Sequence, residues 1–263
     1  GRPPLENGGW YVNSSLHTMV LLKAPGKITT GSPKDEPGRE KDEAQRQVVI
    51  KDSFSVCTTE ITQDDFCRLV PELSDRFPND FSADSNGPAN DITLPDAMKY
   101  CRRLSESERI PEEEMCYPAV EEIGDNYIPD FRRASKTGYR LLTNAEWEHA
   151  CRAGSSTPRF YGFDPNLLDR YAWYVSNSGG LAHEVGMLKP NRFGLFDVYG
   201  NVREWTIYPT ALMTRTSTGL GGSYAVSGRM LRSANWRADP INYRGLQNGF
   251  RIGRTWKEAA RND

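Results

Sequence analysis

One acidic turn carries the clearest metal-binding pattern in the chain. Asp197 and Glu204 flank a glycine turn, and the backbone carbonyls of Gly200 and Val202 lie between them. Two carboxylates together with carbonyl oxygens form the hard-oxygen ligand set that Ca²⁺ prefers. The same spacing also fits a capped turn whose acids accept hydrogen bonds from backbone amides. The residues alone therefore leave a calcium site and a self-capped turn both open.

A predicted helix with Glu146, Glu148 and His149 is the next candidate for metal or acid–base chemistry. It lacks the i, i+4 pair of histidines that binds zinc on a metalloprotease helix, and the whole chain has three histidines. We expect Glu146 to cap the helix, Trp147 to be buried and His149 to lie on the surface. Ser223 follows two glycines but has no activating histidine or acid near it in sequence, which argues against nucleophilic catalysis.

The stretch 224–248 combines aromatic, arginine and asparagine side chains between turn signals. Trp, Tyr and Arg carry much of the binding energy at recognition surfaces, and Asn supplies adaptable hydrogen bonds. The alternative is that the aromatic residues belong to the core and the arginines pair internally. The residue types favour neither interpretation over the other. The candidate ligand-binding residues are Tyr224, Arg229, Asn235, Trp236, Arg237, Asp239, Asn242, Tyr243, Gln247 and Asn248.

Short helices with defined starts are expected to position these residues. Thr62 with Asp65, and Thr143 with Glu146, place a hydroxyl three residues before an acid, which is typical of a capped helix start. Apolar positions at a helical spacing predict a further helix over residues 94–104.

The strands are expected to be short and the loops long. Met19–Leu22 and Ile28–Thr30, separated by a Pro-Gly turn, predict a hairpin, and residues 48–50 and 54–56 predict the next strands. Residues 1–16 have an irregular pattern, and residues 155–256 predict short β segments without a long helix. The chain is therefore expected to have a loop-rich α+β fold.

Composition excludes several classes of protein. The net charge of −2 and the pI near 6.0 lack the basic excess of a nucleic-acid-binding domain. No run of 18 apolar residues is present, so no membrane-spanning segment is expected. The five cysteines are irregularly spaced and include no C-x-x-C pair. They are expected to be free, buried thiols.

Three ordered motifs stand out in the chain, namely Gly138–Glu148, Asn191–Trp205 and a third that runs from Gly221 to Arg251. With them the sequence resembles the formylglycine-generating enzyme, or sulfatase-modifying factor, family from about residue 19 to 254. The resemblance implies an irregular, loop-rich α+β fold related to C-type lectins. It predicts an irregular segment at 1–18, a single domain at 19–256 and a tail at 257–263.

The resemblance carries the family's chemistry over only in part. Enzymes of the family convert a sulfatase cysteine to formylglycine with O₂ and hold a copper ion on a cysteine pair. The resemblance places Val226 and Leu231 at those two positions, and aliphatic side chains cannot bind Cu(I). Neither copper nor the parent oxidation is therefore expected. The resemblance also implies that the turn at 197–204 binds a structural Ca²⁺ through the four residues named above.

The favoured function is a non-catalytic module that binds a protein or small-molecule ligand through residues 224–248. Variable proteins of diversity-generating retroelements use this fold in that way, and their Gly-Gly-Ser-aromatic, Arg-Ser-Ala-Asn and Gly-Phe-Arg pattern is met here. Against diversification, Met230, Trp236 and Gln247 cannot arise by replacing only the adenines of an AAC codon.

Two alternatives stay open at this level. The first is an enzyme of the same family with an altered oxidation that does not use copper thiolate chemistry. The second is a structural or regulatory part of a larger multidomain protein, because some bacterial members, which the motifs resemble most, are fused to kinase or protease domains.

Overall fold

The computed structural model describes residues 9–77, 86–208 and 215–257. The α-helices within these ranges are α1 Gln63–Leu69, α2 Leu94–Ser107 and α3 Asn144–Arg152. Short 3₁₀ helices occupy several of the connecting segments. No helix in the described part of the chain has both the length and the apolar character that a membrane crossing requires.

The helix starts follow the capping chemistry that the sequence predicts. The Thr62 hydroxyl accepts a hydrogen bond from the amide of Asp65 at 3.1 Å. The Thr143 hydroxyl accepts from the amide of Glu146 at 3.2 Å, and the Glu146 carboxylate accepts from the amide of Thr143 at 2.8 Å. α3 ends at Ala153, which adopts the left-handed conformation with φ 45°. Both predicted starts are confirmed, as is the helix predicted over residues 94–104.

The strands are short. In chain order, the strands of the described ranges are β1 Trp10–Val12, β2 Thr18–Leu22, β3 Gly26–Thr30, β4 Arg46–Ile50, β5 Ser53–Cys57, β6 Tyr139–Leu141, β7 Ala172–Trp173, β8 Tyr199–Gly200, β9 Arg203–Thr206, β10 Thr216–Leu220, β11 Trp236–Pro240, β12 Asn248–Gly249 and β13 Ile252–Trp256.

These strands form two larger sheets and two strand pairs. The five-stranded sheet has the order β1-β2-β5-β13-β6, and all its neighbours are antiparallel. The four-stranded sheet has the order β11-β10-β9-β12, in which β12 pairs with β9 in parallel. β3 pairs with β4, and β7 pairs with β8. Residues from all three sequence motifs meet around the four-stranded sheet, which therefore organises the candidate sites.

The predicted hairpin between residues 19–22 and 28–30 is wrong. β2 pairs with β1 and β5, whereas β3 pairs with β4. The Pro-Gly turn reverses the chain, but burial decides the partners, because Met19, Leu21 and Leu22 are buried between two strands while β3 is half-exposed. A strand, β1, also lies in the stretch whose sequence predicts irregular structure. The strands predicted at 48–50 and 54–56 are confirmed as β4 and β5.

Two large clusters of buried apolar side chains stabilise the described part of the chain, beside a small third cluster of Ala182, Val202 and Tyr224. One packs around α1, α2 and Phe250, and the other around Trp147 of α3, Tyr199 and Leu231. Burial of Trp147 is therefore confirmed, while His149 is half-buried between Phe54 and Phe193 rather than on the surface. The prediction of free cysteines is also confirmed. Buried thiols are Cys57, Cys101, Cys116 and Cys151, and Cys67 is partly exposed.

Candidate functional site

The acidic turn at 197–204 has an unusual backbone. Asp197, Gly200 and Asn201 all have positive φ, at 53°, 79° and 46°. A Cβ atom on Gly200 would lie 2.0 Å from the carbonyl oxygen of Trp173, so only glycine fits at this position. The turn thereby packs closely against Trp173 of β7.

Asp197 is buried in this turn with only one of its carboxylate oxygens engaged. Oδ2 accepts a hydrogen bond from the amide of Gly186 at 2.7 Å. Oδ1 is buried and has no hydrogen-bond partner in the part of the chain that the structure describes. Burial raises the pKa of Asp197 to about 6. A buried carboxylate oxygen without a partner is costly, and a bound cation would remove that cost.

Glu204 is held by two buried donors. Arg251 donates from Nε to Oε2 at 2.6 Å and from Nη2 to Oε1 at 2.7 Å, and the Trp147 indole donates to Oε2 at 2.6 Å. The predicted calcium ligand is therefore also one half of a bidentate ion pair. Oε1 receives only one of these three bonds and keeps capacity to accept another.

Glu60 approaches the same turn from the step between β5 and α1. Its carboxylate accepts hydrogen bonds from the amide of Val202 at 3.1 Å and from the side-chain amide of Asn201 at 2.7 Å. Burial and the neighbouring charges of Asp197 and Glu204 raise the pKa of Glu60 well above its ordinary value. We call Glu60, Asp197 and Glu204, with Arg251, the inner acidic cluster.

Sequence reasoning missed the roles of Glu60 and Arg251. Both charges stand next to apolar residues, Ile61 in one case and Phe250 and Ile252 in the other. A single charge in an apolar run predicts a buried, paired group, but it does not identify the partner. In the described ranges, no group of three or more His, Cys, Asp or Glu side chains is placed to hold a metal ion. Calcium at this turn would therefore need backbone carbonyl ligands as well.

Val226 and Leu231, where the resemblance predicts the copper-binding cysteines of the family, lie side by side. A Cβ atom on Gly222 would lie 2.4 Å from Cδ2 of Leu231 and 3.2 Å from Cγ2 of Val226. Leu231 is fully buried, and Val226 packs against the same apolar cluster. Two aliphatic side chains thus pack together at these positions.

The structure divides the ten candidate ligand-binding residues by burial. Side chains that face inward are Tyr224, Asn235, Asp239 and Asn248. Partly exposed side chains are Trp236 and Gln247, and exposed ones are Arg229, Arg237, Asn242 and Tyr243.

Consecutive residues of β11 project to opposite faces of the four-stranded sheet. On one face, Asp239 lies 3.1 Å from Nε of Arg237 and 3.5 Å from Nη1 of Arg203, which also donates to Asn248 at 3.1 Å. Burial lowers the pKa of Arg203. Two arginines share one carboxylate here, so this surface, the Arg237 face, has an excess of positive charge.

The other face of β11 lines a groove of about 660 Å³. Trp236 and Ala238 form one wall, and the opposite wall comes from the β3–β4 hairpin. The floor comes from β10 and the start of α3. Residues of the groove are Thr30, Gly31, Asp42, Glu43, Ala44, Arg46, Val48, Asn144, Ala145, Glu148, Tyr208, Thr216, Ser217, Thr218, Leu220, Ala234, Trp236 and Ala238.

A second set of buried charges lies beside this groove. Arg232 donates to Glu36 at 2.8 Å and to the two oxygens of Glu43 at 2.6 and 2.7 Å, and Asn235 donates to Glu43 at 3.0 Å. Burial alone would raise the pKa of Glu43, but hydrogen bonds from Arg232 and Asn235 and the Arg232 charge lower it. These contacts connect the loop before β4 to the loop before β11.

Glu148 belongs to the same set. It accepts from Nε of Arg152 at 2.8 Å and from the amide of Gly31. Burial raises the pKa of Glu148, and the charge of Glu36 adds to this effect. We call Glu36, Glu43 and Glu148, with Arg152 and Arg232, the groove cluster.

Comparison with known proteins places the chain among sulfatase-modifying factors. The chaperone protein LppX of Paenibacillus barcinonensis is 28% identical over 185 residues, which are 62% of this chain and 64% of that protein. The formylglycine-generating enzyme of Mycobacterium tuberculosis is 38% identical over 80 residues, 26% of this chain and 27% of that enzyme. The chain thus matches less than two thirds of the length of each of these relatives.

The fold is shared with a solved structure. Variable protein 1 of Treponema denticola superposes with a TM-score of 0.77 at 23% identity, covering 95% of this chain and 99% of that one. The formylglycine-generating-enzyme-like, C-type-lectin-like fold that the sequence predicts is therefore confirmed. The model of the sulfatase-modifying factor enzyme 1-like domain matches residues 11–256. With nearly the whole chain matched and the three motifs assembled around one sheet, this protein belongs to the sulfatase-modifying factor family.

Proposed function

We propose that this protein is a non-catalytic binding module built on the scaffold of the formylglycine-generating enzymes. The observation that carries the proposal is the packing of Val226 and Leu231 against Gly222, at the positions of the copper-binding cysteines. Soft thiolates are the ligands that select Cu(I), and the methyl groups of valine and leucine cannot bind the ion in their place. The scaffold is retained while the residues that bind the redox metal are absent.

The binding surface that we propose is the exposed part of residues 224–248. Arg229, Arg237, Asn242 and Tyr243 are exposed, and arginine and tyrosine are enriched among residues that dominate binding energy. The inward-facing Asn235, Asp239 and Asn248 support them through the hydrogen bonds described above. The likeness to a variable protein supports a display role for this fold, and the name of the Paenibacillus relative, a chaperone protein, supports a protein as the partner.

We further propose that the acidic turn binds a structural Ca²⁺. The ligands would be Asp197 and Glu204 with the carbonyl oxygens of Gly200 and Val202. Support comes from the buried Oδ1 of Asp197, which has no partner among the described residues, and from the remaining acceptor capacity of Glu204. Binding would couple the ion to the order of the surrounding loops.

A copper and activity assay tests the non-catalytic assignment. The purified chain is incubated with Cu(I) and then with O₂ and a cysteine peptide of the sulfatase type. We expect neither stoichiometric copper nor an aldehyde product by mass spectrometry. The Val226→Cys/Leu231→Cys double variant is the matched control and should gain copper or form a disulfide, because its two side chains are adjacent. Copper uptake and peptide oxidation by the wild-type chain would refute the proposal.

The binding surface is tested by exchanging its exposed residues. Proteins retained by the immobilised wild-type chain are compared with those retained by the Arg237→Ala/Tyr243→Ala variant, whose two residues are exposed and lie outside the groove, after circular dichroism has shown that the variant is folded. We expect a partner that the variant no longer retains. Full retention by the variant would place binding elsewhere, whereas stoichiometric iron in the purified protein would favour the alternative of an altered oxidase.

A further inference from the structure

The groove beside β11 has an apolar wall and floor against which the apolar part of a small organic molecule can pack. Trp236 is half-exposed and presents its indole to the groove, and Ala238 follows it on the same strand. Leu220 and Ala145 are buried beneath, and Val48 closes the far side. A volume of about 660 Å³ falls within the range of about 300–1,000 Å³ that is typical of small-molecule sites.

The charged residues of the groove are mostly acidic. Asp42, Glu43 and Glu148 contribute three carboxylates to its lining, and Arg46 is the one basic side chain among the described lining residues. Arg46 donates to the hydroxyl of Tyr208, a neutral group, and keeps its charge. Because Glu43 and Glu148 are paired with Arg232 and Arg152, the lining favours a positively charged guest only through the exposed Asp42 and through carboxylate oxygens whose hydrogen bonding is incomplete.

One carboxylate oxygen in this lining is poorly satisfied. The Glu148 side chain is only 8% exposed. Its Oε1 accepts from Arg152 at 2.8 Å and from the Gly31 amide at 2.9 Å. Oε2 accepts only from the same Gly31 amide, at the longer distance of 3.2 Å. A buried carboxylate normally accepts several strong bonds. Oε2 is thus an acceptor available to a donor that enters the groove.

We propose that this groove binds a small organic cation, an amine or guanidine carried on an apolar or aromatic body. The body lies against Trp236, where a neighbouring cation also gains from the face of the indole ring. The cationic head donates to Glu148, a charge-assisted bond in a poorly solvated place. The proposal rests on the proposed function and specifies one of its ligands.

Calorimetric titration with simple probes tests this inference. The probes are 2-phenylethylamine and benzamidine, with 2-phenylethanol and benzamide as neutral counterparts of similar shape. We expect both cations to bind, and each to bind at least tenfold more tightly than its neutral counterpart. The Glu148→Gln variant, which keeps the size of the side chain, should bind the cations about tenfold more weakly.

Two further variants keep the test independent of folding defects. Ala238 is exposed, so Ala238→Phe adds bulk to the groove without disturbing the core, and it should abolish binding of both cations. Lys51→Ala is the control, because Lys51 is exposed and lies outside both the groove and the proposed binding surface. It should bind the probes like the wild type.

Several results would overturn the inference. Equal affinity for the amine and the alcohol would remove the charge argument, and undiminished binding by Ala238→Phe would place the probes outside the groove. Failure of both cations to bind, with binding of an arginine-containing peptide instead, would make the occupant a protein. In each case the copper assay and the partner lost by Arg237→Ala/Tyr243→Ala report on the proposed function separately.

Discussion

Two clusters of buried carboxylates in this protein differ in how their charge is balanced. The inner acidic cluster places three carboxylates, Glu60, Asp197 and Glu204, around the single cation of Arg251, which donates to Glu204. The groove cluster also has three carboxylates, but Arg152 and Arg232 each pair with at least one of them. The first is enclosed by the turn at 197–204, whereas the second borders a groove.

The difference indicates what each cluster can accept. An enclosed excess of negative charge is costly, and the proposed Ca²⁺ would offset it. A smaller excess of negative charge beside an open groove can be neutralised by a larger organic cation, whose apolar part packs against the groove. The same arrangement, carboxylates held by arginine, is therefore the basis of the proposed calcium site in one place and of the proposed organic-cation site in the other.

The largest effect is expected when the inner cluster loses its only cation. Arg251→Met keeps the volume of the side chain but leaves three buried carboxylates without a basic partner. Removing one member of a buried pair typically costs about 3–5 kcal/mol, and we expect the free energy of unfolding to fall by at least that amount in urea titrations at pH 7. The matched control is Arg254→Met on β13, whose partner Glu108 is partly exposed. If the free energy of unfolding falls no further than in the control, Arg251 does not stabilise the inner acidic cluster more than a partly exposed ion pair would.

A smaller and more local effect is expected in the groove cluster. Arg232→Met removes the partner of Glu36 and Glu43, but the loops that carry these acids lie beside a groove and can admit water. We expect a loss of about 3 kcal/mol, the lower end of the range for a broken buried pair, with faster hydrogen exchange at residues 31–46. Arg229→Met is the control, since its pair with Glu40 is exposed. Unchanged exchange at 31–46 would show that Arg232 does not connect the two loops.

What the sequence predicts correctly about the fold depends on local chemistry. Helix starts at Thr62 and Thr143 follow from a hydroxyl and an acid three residues apart, and the structure forms both. Strand pairing is not local. The partner of β2 is β5, more than thirty residues away, and a turn signal next to β2 cannot reveal it. This is why the hairpin prediction failed while the helix predictions were confirmed.

The same limit applies to the candidate site, where contacts between residues close in sequence can be predicted and contacts between distant residues cannot. The acidic turn is recognisable because its residues are close in sequence, and the calcium-binding role that the resemblance implies stays a prediction. Glu60 is 141 residues from Asn201, and Arg232 is 189 residues from Glu43, so neither contact follows from spacing. Residue type marked Trp236 and Arg237 as surface candidates, but only the strand direction separates them onto opposite faces of one sheet.

Removal of calcium is expected to have an effect of intermediate size, measured as the melting temperature. If the ion binds only the folded state, calcium at a hundred times its dissociation constant adds about 2.7 kcal/mol, or roughly 5–10 °C for a chain of this size. We expect EDTA to lower the melting temperature of the wild type by that amount and calcium to restore it. Asp197→Asn should lose this calcium-dependent increment. Asp65→Asn, at another largely buried acid, should keep it, and identical melting of the wild type in EDTA and calcium would remove the calcium proposal.

The smallest effect concerns the pH dependence of the groove cluster. The pKa of Glu43 is lowered in the folded state, so its charge stabilises the fold above its ordinary pKa of 4.5 and that contribution disappears as the pH falls through the folded value. Glu43→Gln keeps the shape of the side chain but cannot carry the charge. We expect it to cost on the order of 1 kcal/mol at pH 7 and progressively less between pH 5 and pH 3. Asp42→Asn changes an exposed neighbour outside the Arg232 contacts and should follow the wild type throughout. If the free energies of unfolding of Glu43→Gln and the wild type differ by the same amount from pH 7 to pH 3, Glu43 acts through its packing. The two clusters would then differ in the shape of their packing more than in their charge.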